Sequence, residues 1–340
     1  MKKNKLTVAI VAPAFGEIGG PEVVAKTIAH ALKKEGVDVT LFAPGDWKTD
    51  VKHIPTLEKS IWNMNPFEKK NIEQLRIKSQ MKVIEYADKF DIIHFHCQRY
   101  SPYASKEISK PCVLTFHNNF SEEAISEAKK AKLYTVAISH AQNEKNLADA
   151  VIYNGVPMKD IKPSFKEGKY LLFSGRLAEQ KGADIAIEIA RKAKKKLYIL
   201  GRIGNTKERK KYFAEKLEPF IDNEQVCYLE TVSHEKMYEY YAGAQALLFP
   251  IRRSEAFGLV AIEALACGTP VISTRVAPLP EILKNDETAF LSNDIEELIT
   301  AAKNVSSFDR KVCRKYAEEN FDSSIMARRY IEFYKKILNY

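Results

Sequence analysis

Residues 246–274, ALLFPIRRSEAFGLVAIEALACGTPVIST, read as an apolar strand (247–249), a polar turn (251–256), an apolar helix from about 257 to 266, a glycine stop at Gly268 and a second buried strand (271–273). Two carboxylates interrupt an otherwise apolar run. Glu255 falls just before the helix, where free amides and the helix dipole favour its charge. Glu263 falls two turns in, between Ile262 and Ala264. A buried carboxylate without donors costs several kcal/mol, about 2 to 7 by analogy with other buried polar groups. Polar groups are therefore expected against Glu263. The amides of Phe257, Gly258 and Leu259 lie between the two carboxylates and form a candidate anion site. The plainer alternative is a helix with a capping glutamate and a second glutamate bonded to backbone. Gly258, which keeps the helix start open, and Gly268 with Pro270, which suit the helix stop, weigh against it.

The segment SEAFGLVAIEALACGTPVIST resembles the E-x7-E signature of the retaining family 4 glycosyltransferases. That resemblance implies an α/β chain of the GT-B fold: two Rossmann-like domains with parallel sheets facing a central cleft, and a C-terminal helix crossing back to the N-terminal domain. At about 1.5 Å per residue the two glutamates are roughly 12 Å apart along the axis, a span comparable with that between the ribose and the sugar of a nucleotide sugar.

Composition agrees with two soluble domains. A chain of 340 residues is long for one core, and 45% hydrophobic with 29% charged residues marks a globular protein. The net charge of +9 suits anionic partners such as nucleotides, phosphorylated acceptors or an anionic membrane. The lysines are dispersed over helix faces instead of forming a patch with interleaved aromatics, so no nucleic acid is expected as partner. The scattered cysteines, Cys97, Cys112, Cys227, Cys267 and Cys313, read as reduced core residues of a cytoplasmic protein, with no metal spacing. The opening MKKNKLTVAIVAPAF has the outline of a signal peptide, but the same residues make a buried first strand leading into a glycine turn and a helix. No apolar stretch approaches the roughly 20 residues needed to span a bilayer, so membrane contact would be peripheral, at the inner face.

Residues 6–11 form that strand, a helix follows from about 21 to 34 with Val24, Ile28 and Leu32 on one face, and residues 37–42 form the next strand. Gly19 and Gly20 stand where backbone amides approach a phosphate, and they resemble the Gly-Gly pair that meets the donor pyrophosphate in the family. The segment GEIGGPE lacks G-x-G-x-x-G, which argues against a dinucleotide site. Residues 45–70 show no clear period, and residues 71–89 read as a basic helix, which the resemblance implies lies on the acceptor side. DIIHFHC and PCVLTFHNNF are strands ending in His94 and His96, and in His117. With no third ligand near in sequence, the His-x-His pair reads as structural. The resemblance places His117 beside the reacting sugar, with Asn118 one residue away. LYTVAISHAQ reads as strand, turn and helix with Ser139 as N-cap, and VIYNGVP closes the first domain.

In YLLFSGRLAEQKGADIAIEIA a strand ends at Gly175 and a helix begins near Lys181. Arg176 and Lys181 bracket the turn, and two cations there suit a pyrophosphate. The pattern G-R-x-x-x-x-K-G is similar to the family's phosphate clamp. Thr231 and Val232 are candidates for reading the base, and Glu281 reads as a helix-start charge. In the last twenty residues Ile325, Met326, Tyr330, Ile331, Tyr334 and Leu338 recur near helical spacing.

The implied organisation is an acceptor-side domain (1–155), a donor-binding domain (156–320) and a returning helix (321–340). The implied activity is retaining transfer of a hexose-like sugar from a nucleoside-diphosphate sugar, foremost a UDP-sugar, to a hydroxyl of a sugar, lipid-linked or small-molecule acceptor, with no metal or cofactor. His117, Glu255, Arg176 and Lys181 are the catalytic candidates. Gly19, Gly20, Arg176, Lys181, Glu255, Phe257, Gly258, Leu259 and Glu263 are the donor-binding ones. A phosphorylase, an epimerase or a nucleotide-sugar binding protein without transferase activity are the alternatives.

Overall fold

The computed structural model describes residues 5–16, 19–230 and 232–339, and its chain forms two compact units, Met1–Pro157 with Asp322–Tyr340, and Met158–Phe321. Unit 1 holds strands β1 (Thr7–Val11), β2 (Asp38–Ala43), β3 (Lys52–Pro55), β4 (Ile92–Phe95), β5 (Cys112–Thr115), β6 (Leu133–Ala137) and β7 (Ala150–Val151) in one parallel sheet of order β3-β2-β1-β4-β5-β6-β7. Helices α1 (Gly20–Lys34), α2 (Ile72–Met81), α3 (Ser101–Ser105) and α4 (Glu122–Lys130) belong to the same unit. β1 is central, paired to β2 through Val8–Val39 and to β4 through Val8–Ile92, and Val8 to Val11 are fully buried. Burial on both faces explains their continuous apolar run. On α1 the predicted stripe of Val24, Ile28 and Leu32 is buried, and Lys33 and Lys34 close its last turn, where cations are favoured.

Two expectations need correcting here. Residues 45–70 contain β3, an edge strand of four half-buried or exposed residues ending in Pro55, too short to show a period and placed where proline is tolerated. The segment after β6 forms turns instead of the expected helix. Ser139 still accepts from the Gln142 amide (2.9 Å), but the Gln142 side chain turns back and takes the Ile138 N–H (2.7 Å). Those bonds suit a helix start, but Asn143 Oδ1 takes the Ala148 N–H (2.9 Å) and Asn146 turns left-handed at φ +53°, the local competition with helical bonding typical of short polar side chains.

Unit 2 alternates strand and helix more regularly. Its strands are β8 (Tyr170–Ser174), β9 (Leu197–Leu200), β10 (Val226–Leu229), β11 (Ala244–Phe249), β12 (Val271–Ser273) and β13 (Ala289–Leu291), parallel and ordered β10-β9-β8-β11-β12-β13. The helices are α5 (Ala183–Lys192), α6 (Lys207–Tyr212), α7 (His234–Gly243), α8 (Leu259–Ala266), α9 (Leu279–Ile282), α10 (Ile295–Lys303) and α11 (Arg310–Phe321). Apart from Glu263, α8 is apolar on every side, and its residues from Ala261 to Ala266 are buried. It begins at Leu259, two residues later than expected. Gly258 adopts φ +98°, a left-handed conformation outside the helix.

From α11 two buried arginines reach back into unit 2. Arg310 donates to the carbonyls of Ser164, Ala244 and Ala242 and to the Thr269 hydroxyl, all at 2.7–2.8 Å. Arg314 donates to Ala266 O (2.6 Å) and Met158 O (2.9 Å). The chain then returns to unit 1 as α12 (Ser323–Ile337), which packs on α1 and buries Met326, Ala327, Tyr330 and Tyr334. Ser323 N–H bonds Val156 O at 2.9 Å, joining the outgoing and returning strands of chain.

Candidate active site

In each sheet the strand order reverses once, between β1 and β4 in unit 1 and between β8 and β11 in unit 2. Ligands of open parallel sheets bind beyond the carboxyl ends of strands at such a switch point. In unit 2 the loop after β8 carries Arg176 and Lys181, and the loop after β11 carries Glu255 to Gly258. The fold brings these loops together. Lys181 Nζ and the Glu255 carboxylate form a short ion pair, each side chain largely covered. Glu255 thus has its charge met by Lys181, across the switch point, instead of by the start of α8, which lies four residues further on.

Backbone packing enforces that approach. Gly182 has φ +74°, and a Cβ on it would lie 2.0 Å from Pro250 O, so a side chain is excluded. Arg252 then staples the two loops: its amide donates to Gln180 O (2.9 Å), its guanidinium to Glu179 O (2.7 Å) and to both oxygens of Asp184 (2.8 and 2.6 Å). Burial works to raise the Asp184 pKa, but hydrogen bonds from Arg252 and Tyr212 hold it below the ordinary range. Sequence reasoning missed both residues, because neither lies in a recognised motif and they stand 68 positions apart. Burial pulls the Lys181 ammonium below its usual pKa, Glu255 opposes this, and nearby Arg176 adds to it. Arg176 itself is exposed and has no carboxylate partner among the described residues. With Arg176 near Lys181 and one carboxylate paired to the lysine, the loop pair carries an unbalanced positive charge.

Beside this loop pair α8 starts without a capping side chain at Gly258, and of its first-turn amides Ala261 N–H already bonds Gly258 O at 3.0 Å, while those before it have no acceptor within the helix. Phe257 is buried behind it and Leu259 is half-buried. Further along α8, Glu263 is 4% exposed. The polar partner that burial demanded is Tyr241 of α7, whose hydroxyl lies 3.4 Å from Glu263 Oε2 and 3.1 Å from Ser174 Oγ at the end of β8. One long hydrogen bond does not offset desolvation, and burial pushes the Glu263 carboxyl up to about 8. Of the base-reading candidates, Val232 is half-buried and Thr231 lies outside the described residues.

In unit 1 Gly19 is the N-cap of α1 and Gly20 its first residue, while the neighbouring residues 17 and 18 lie outside the described residues. The Glu22 carboxylate folds over Gly19, where an added Cβ would meet Oε2 at 2.1 Å. Burial pushes that carboxyl up to about 7. A carboxyl of the chain's own therefore stands at this glycine pair.

His117 follows β5 and is half-buried. The carbonyls on either side of it, Phe116 O and Asn118 O, both accept from Gln142 Nε2 at 3.0 and 2.9 Å, so the turn that replaced the expected helix positions this residue. The fold brings a third histidine, 21 positions on, to the His-x-His pair: His96 Nδ1 lies 2.8 Å from His117 Nε2, and the His94 and His96 rings are 4.2 Å apart. His94 spends both nitrogens on Tyr334 (2.6 Å) and Thr115 (2.8 Å). Among the described residues no cluster of three His, Cys, Asp or Glu is placed to hold a metal, the five cysteines are free, and no helix is long and apolar enough to cross a membrane.

Comparison with known proteins gives this geometry a family. Glycosyl transferases group 1 matches residues 157–320, and Glycosyltransferase Family 4 matches residues 18–161. The chain belongs to the family 4 glycosyltransferases. An uncharacterized 41.2 kDa protein in the cps region of Klebsiella pneumoniae is 26% identical to this glycosyltransferase over 356 residues, 92% of this chain and 96% of that one. The D-inositol 3-phosphate glycosyltransferase of Pseudarthrobacter chlorophenolicus is 26% identical over 339 residues, 82% and 79% of the two chains. Among solved structures, Anabaena Alr3699/HepE in complex with UDP and glucose superposes with a TM-score of 0.74 at 19% identity, over 97% of this chain and all of that one. That likeness shows the GT-B fold of the glycosyltransferase.

Proposed function

We propose that this glycosyltransferase moves a hexose-like sugar, with retention, from a nucleoside-diphosphate sugar to a hydroxyl acceptor in glycan, polysaccharide or glycolipid biosynthesis. The observation that carries the reading is the Lys181–Glu255 pair beyond β8 and β11, beside Arg176, which has no carboxylate partner among the described residues, and the uncapped start of α8. A diphosphate outcompetes one carboxylate for two cations. Its arrival at Lys181 and Arg176 releases Glu255 to hold sugar hydroxyls, and the amides at Gly258 add donors. Glu263 then takes the ribose hydroxyls, and His117 contacts the transferred sugar. The same groups stabilise the charge that grows on the departing diphosphate, a preorganised electrostatic effect worth several kcal/mol.

The reading assigns no side chain as nucleophile. The sugar leaves and is attacked on one face, and the departing phosphate takes the acceptor's proton. Unit 2 is the donor-binding domain and unit 1 the acceptor-side domain. The Anabaena protein, solved with UDP and glucose, supports uridine as the base. The basic segment through α2 suits an anionic acceptor or contact with an anionic membrane face.

The test is thermal stabilisation by UDP, GDP, ADP and their sugars, without and with Mg²⁺. Saturation at a hundred times Kd adds about 2.7 kcal/mol. A shift with one nucleotide, lost in Glu263→Ala, supports the assignment; no shift with any nucleotide overturns it.

A further inference from the structure

His96 has a place in the fold that the donor site as drawn does not use. It lies at the end of β4, 2% exposed, between two other imidazoles. One nitrogen, Nδ1, is hydrogen-bonded to His117 Nε2 at 2.8 Å. The other, Nε2, is buried with no partner among the described residues. Burial holds both rings neutral: His96 is pulled well below the ordinary histidine range, with the neighbouring histidines adding to the effect, and His117 down to about 3. Each neutral ring carries one proton, so the contact has two possible arrangements.

In the first, His117 Nε2–H donates to His96 Nδ1, and the His96 proton sits on Nε2 as a buried donor with nothing to receive it. In the second, His96 Nδ1–H donates to His117 Nε2, and His96 Nε2 is a buried lone pair. In the backbone an unpaired buried N–H is rarer than an under-satisfied buried acceptor, and the same preference applied to His96 Nε2 favours the second. The second arrangement also fixes the other ring: with Nε2 accepting, the His117 proton must lie on Nδ1. That nitrogen has no partner among the described residues, and His117 is the half-buried member of the trio.

We infer that His96 is a positioning residue that locks His117 as its neutral Nδ1–H tautomer, so that His117 offers substrate a hydrogen-bond donor and not a base. The functional half of this inference rests on the proposed contact between His117 and the transferred sugar. A fixed N–H matches a hydroxyl oxygen of the sugar and leaves no basic nitrogen to compete with the departing phosphate for the acceptor's proton. His94 supports the arrangement from behind: its nitrogens are already taken by Tyr334 and Thr115, so its ring, tilted by 35° and 4.2 Å away, packs on His96 without competing for its proton.

Long-range ¹H–¹⁵N correlation spectra of histidine-labelled protein report which ring nitrogen carries each proton, with no ligand needed. The wild type is expected to show His117 protonated on Nδ1 and His96 on Nδ1. His96→Leu removes the donor and shifts His117 toward the Nε2–H form. His96→Asn, whose amide N–H sits near the place of Nδ1, restores the Nδ1–H form. Release of UDP from UDP-glucose is expected to fall about tenfold in kcat in His96→Leu, the size of one lost neutral hydrogen bond, with KM little changed and most of the rate recovered in His96→Asn. A wild-type spectrum with the His117 proton on Nε2, or a His96→Leu spectrum unchanged at His117, overturns the inference whatever the activities. Full UDP release by His117→Ala beside a wild-type Nδ1–H spectrum sinks the substrate role of His117 instead, a result the spectra tell apart.

Discussion

Replacing Glu263 by glutamine keeps the shape of the side chain and removes its titration. In the folded chain this carboxyl has its pKa raised from 4.5 to about 8, because burial disfavours the charge and only Tyr241 opposes it. A group whose folded pKa lies above its unfolded one stabilises the fold fully below the unfolded value, and that stability is lost as pH rises through the folded value. At about 1.36 kcal/mol per unit, with the slope halved at the folded pKa itself, the wild type should lose about 3.5 kcal/mol between pH 5 and pH 8 that Glu263→Gln keeps. Tyr238 and Cys267 also feel the Glu263 charge, but burial raises both above their ordinary values, away from this window. Urea unfolding followed by far-ultraviolet circular dichroism reads the difference between the two proteins at each pH. Both tryptophans, Trp47 and Trp62, lie in unit 1, so their fluorescence follows that unit separately. A wild-type-minus-variant difference constant to within about 1 kcal/mol over pH 5–8 refutes the reasoning. If nucleotide binding lays ribose hydroxyls on a charged Glu263, affinity also strengthens by up to tenfold per unit towards pH 8 in the wild type alone.

Other outcomes follow from the same geometry. Lys181→Ala and Arg176→Ala should each lower turnover about a hundredfold, by analogy with deleted oxyanion donors; steady-state rates near wild type would remove them from the clamp. Gly258→Ala forces a β-carbon into φ +98° and within 3.1 Å of Leu279, and should cost about 1–3 kcal/mol in chemical denaturation. Arg310→Met leaves the carbonyls of Ser164, Ala242 and Ala244 and the Thr269 hydroxyl without their donor, and should destabilise unit 2 by about 3–5 kcal/mol. Glu22, raised to about 7 chiefly by burial, loses its stabilising contribution as pH rises from 4.5 through 7. Glu22→Gln should therefore gain on the wild type by up to about 3 kcal/mol at pH 8, read by tryptophan fluorescence in urea.

What was legible in the amino-acid order was whatever depends on near neighbours. The buried strands β1, β11 and β12 announce themselves as unbroken apolar runs, and α1 as a four-residue recurrence. The spacing of Glu255 and Glu263 is carried by one short segment, and so is the resemblance that located the family. The partners of those glutamates were not legible. Glu255 meets a lysine 74 positions away, Glu263 a tyrosine on the preceding helix, and Arg252 an aspartate across two loops. Such pairs exist only after parallel strands have been laid side by side, and no local pattern encodes them. β3 and the turn after β6 were misread for the converse reason. Their local signals are weak, and tertiary context overrides them: an edge position in one case, and the Gln142 side chain serving the His117 loop in the other.

The return of α12 has a consequence for how this protein is made. Tyr334 and Tyr330 bond His94 and Thr115 inside unit 1, yet they are synthesised after the whole of Met158–Phe321. At about 5–20 residues per second, that intervening stretch takes roughly 10 to 30 s on a ribosome. For that interval the face of α1 and the His94 side of the sheet wait without their last helix, while unit 2 already has every residue it needs. Unit 2 is thus free to fold first, and unit 1 is finished only once α12 has emerged behind it.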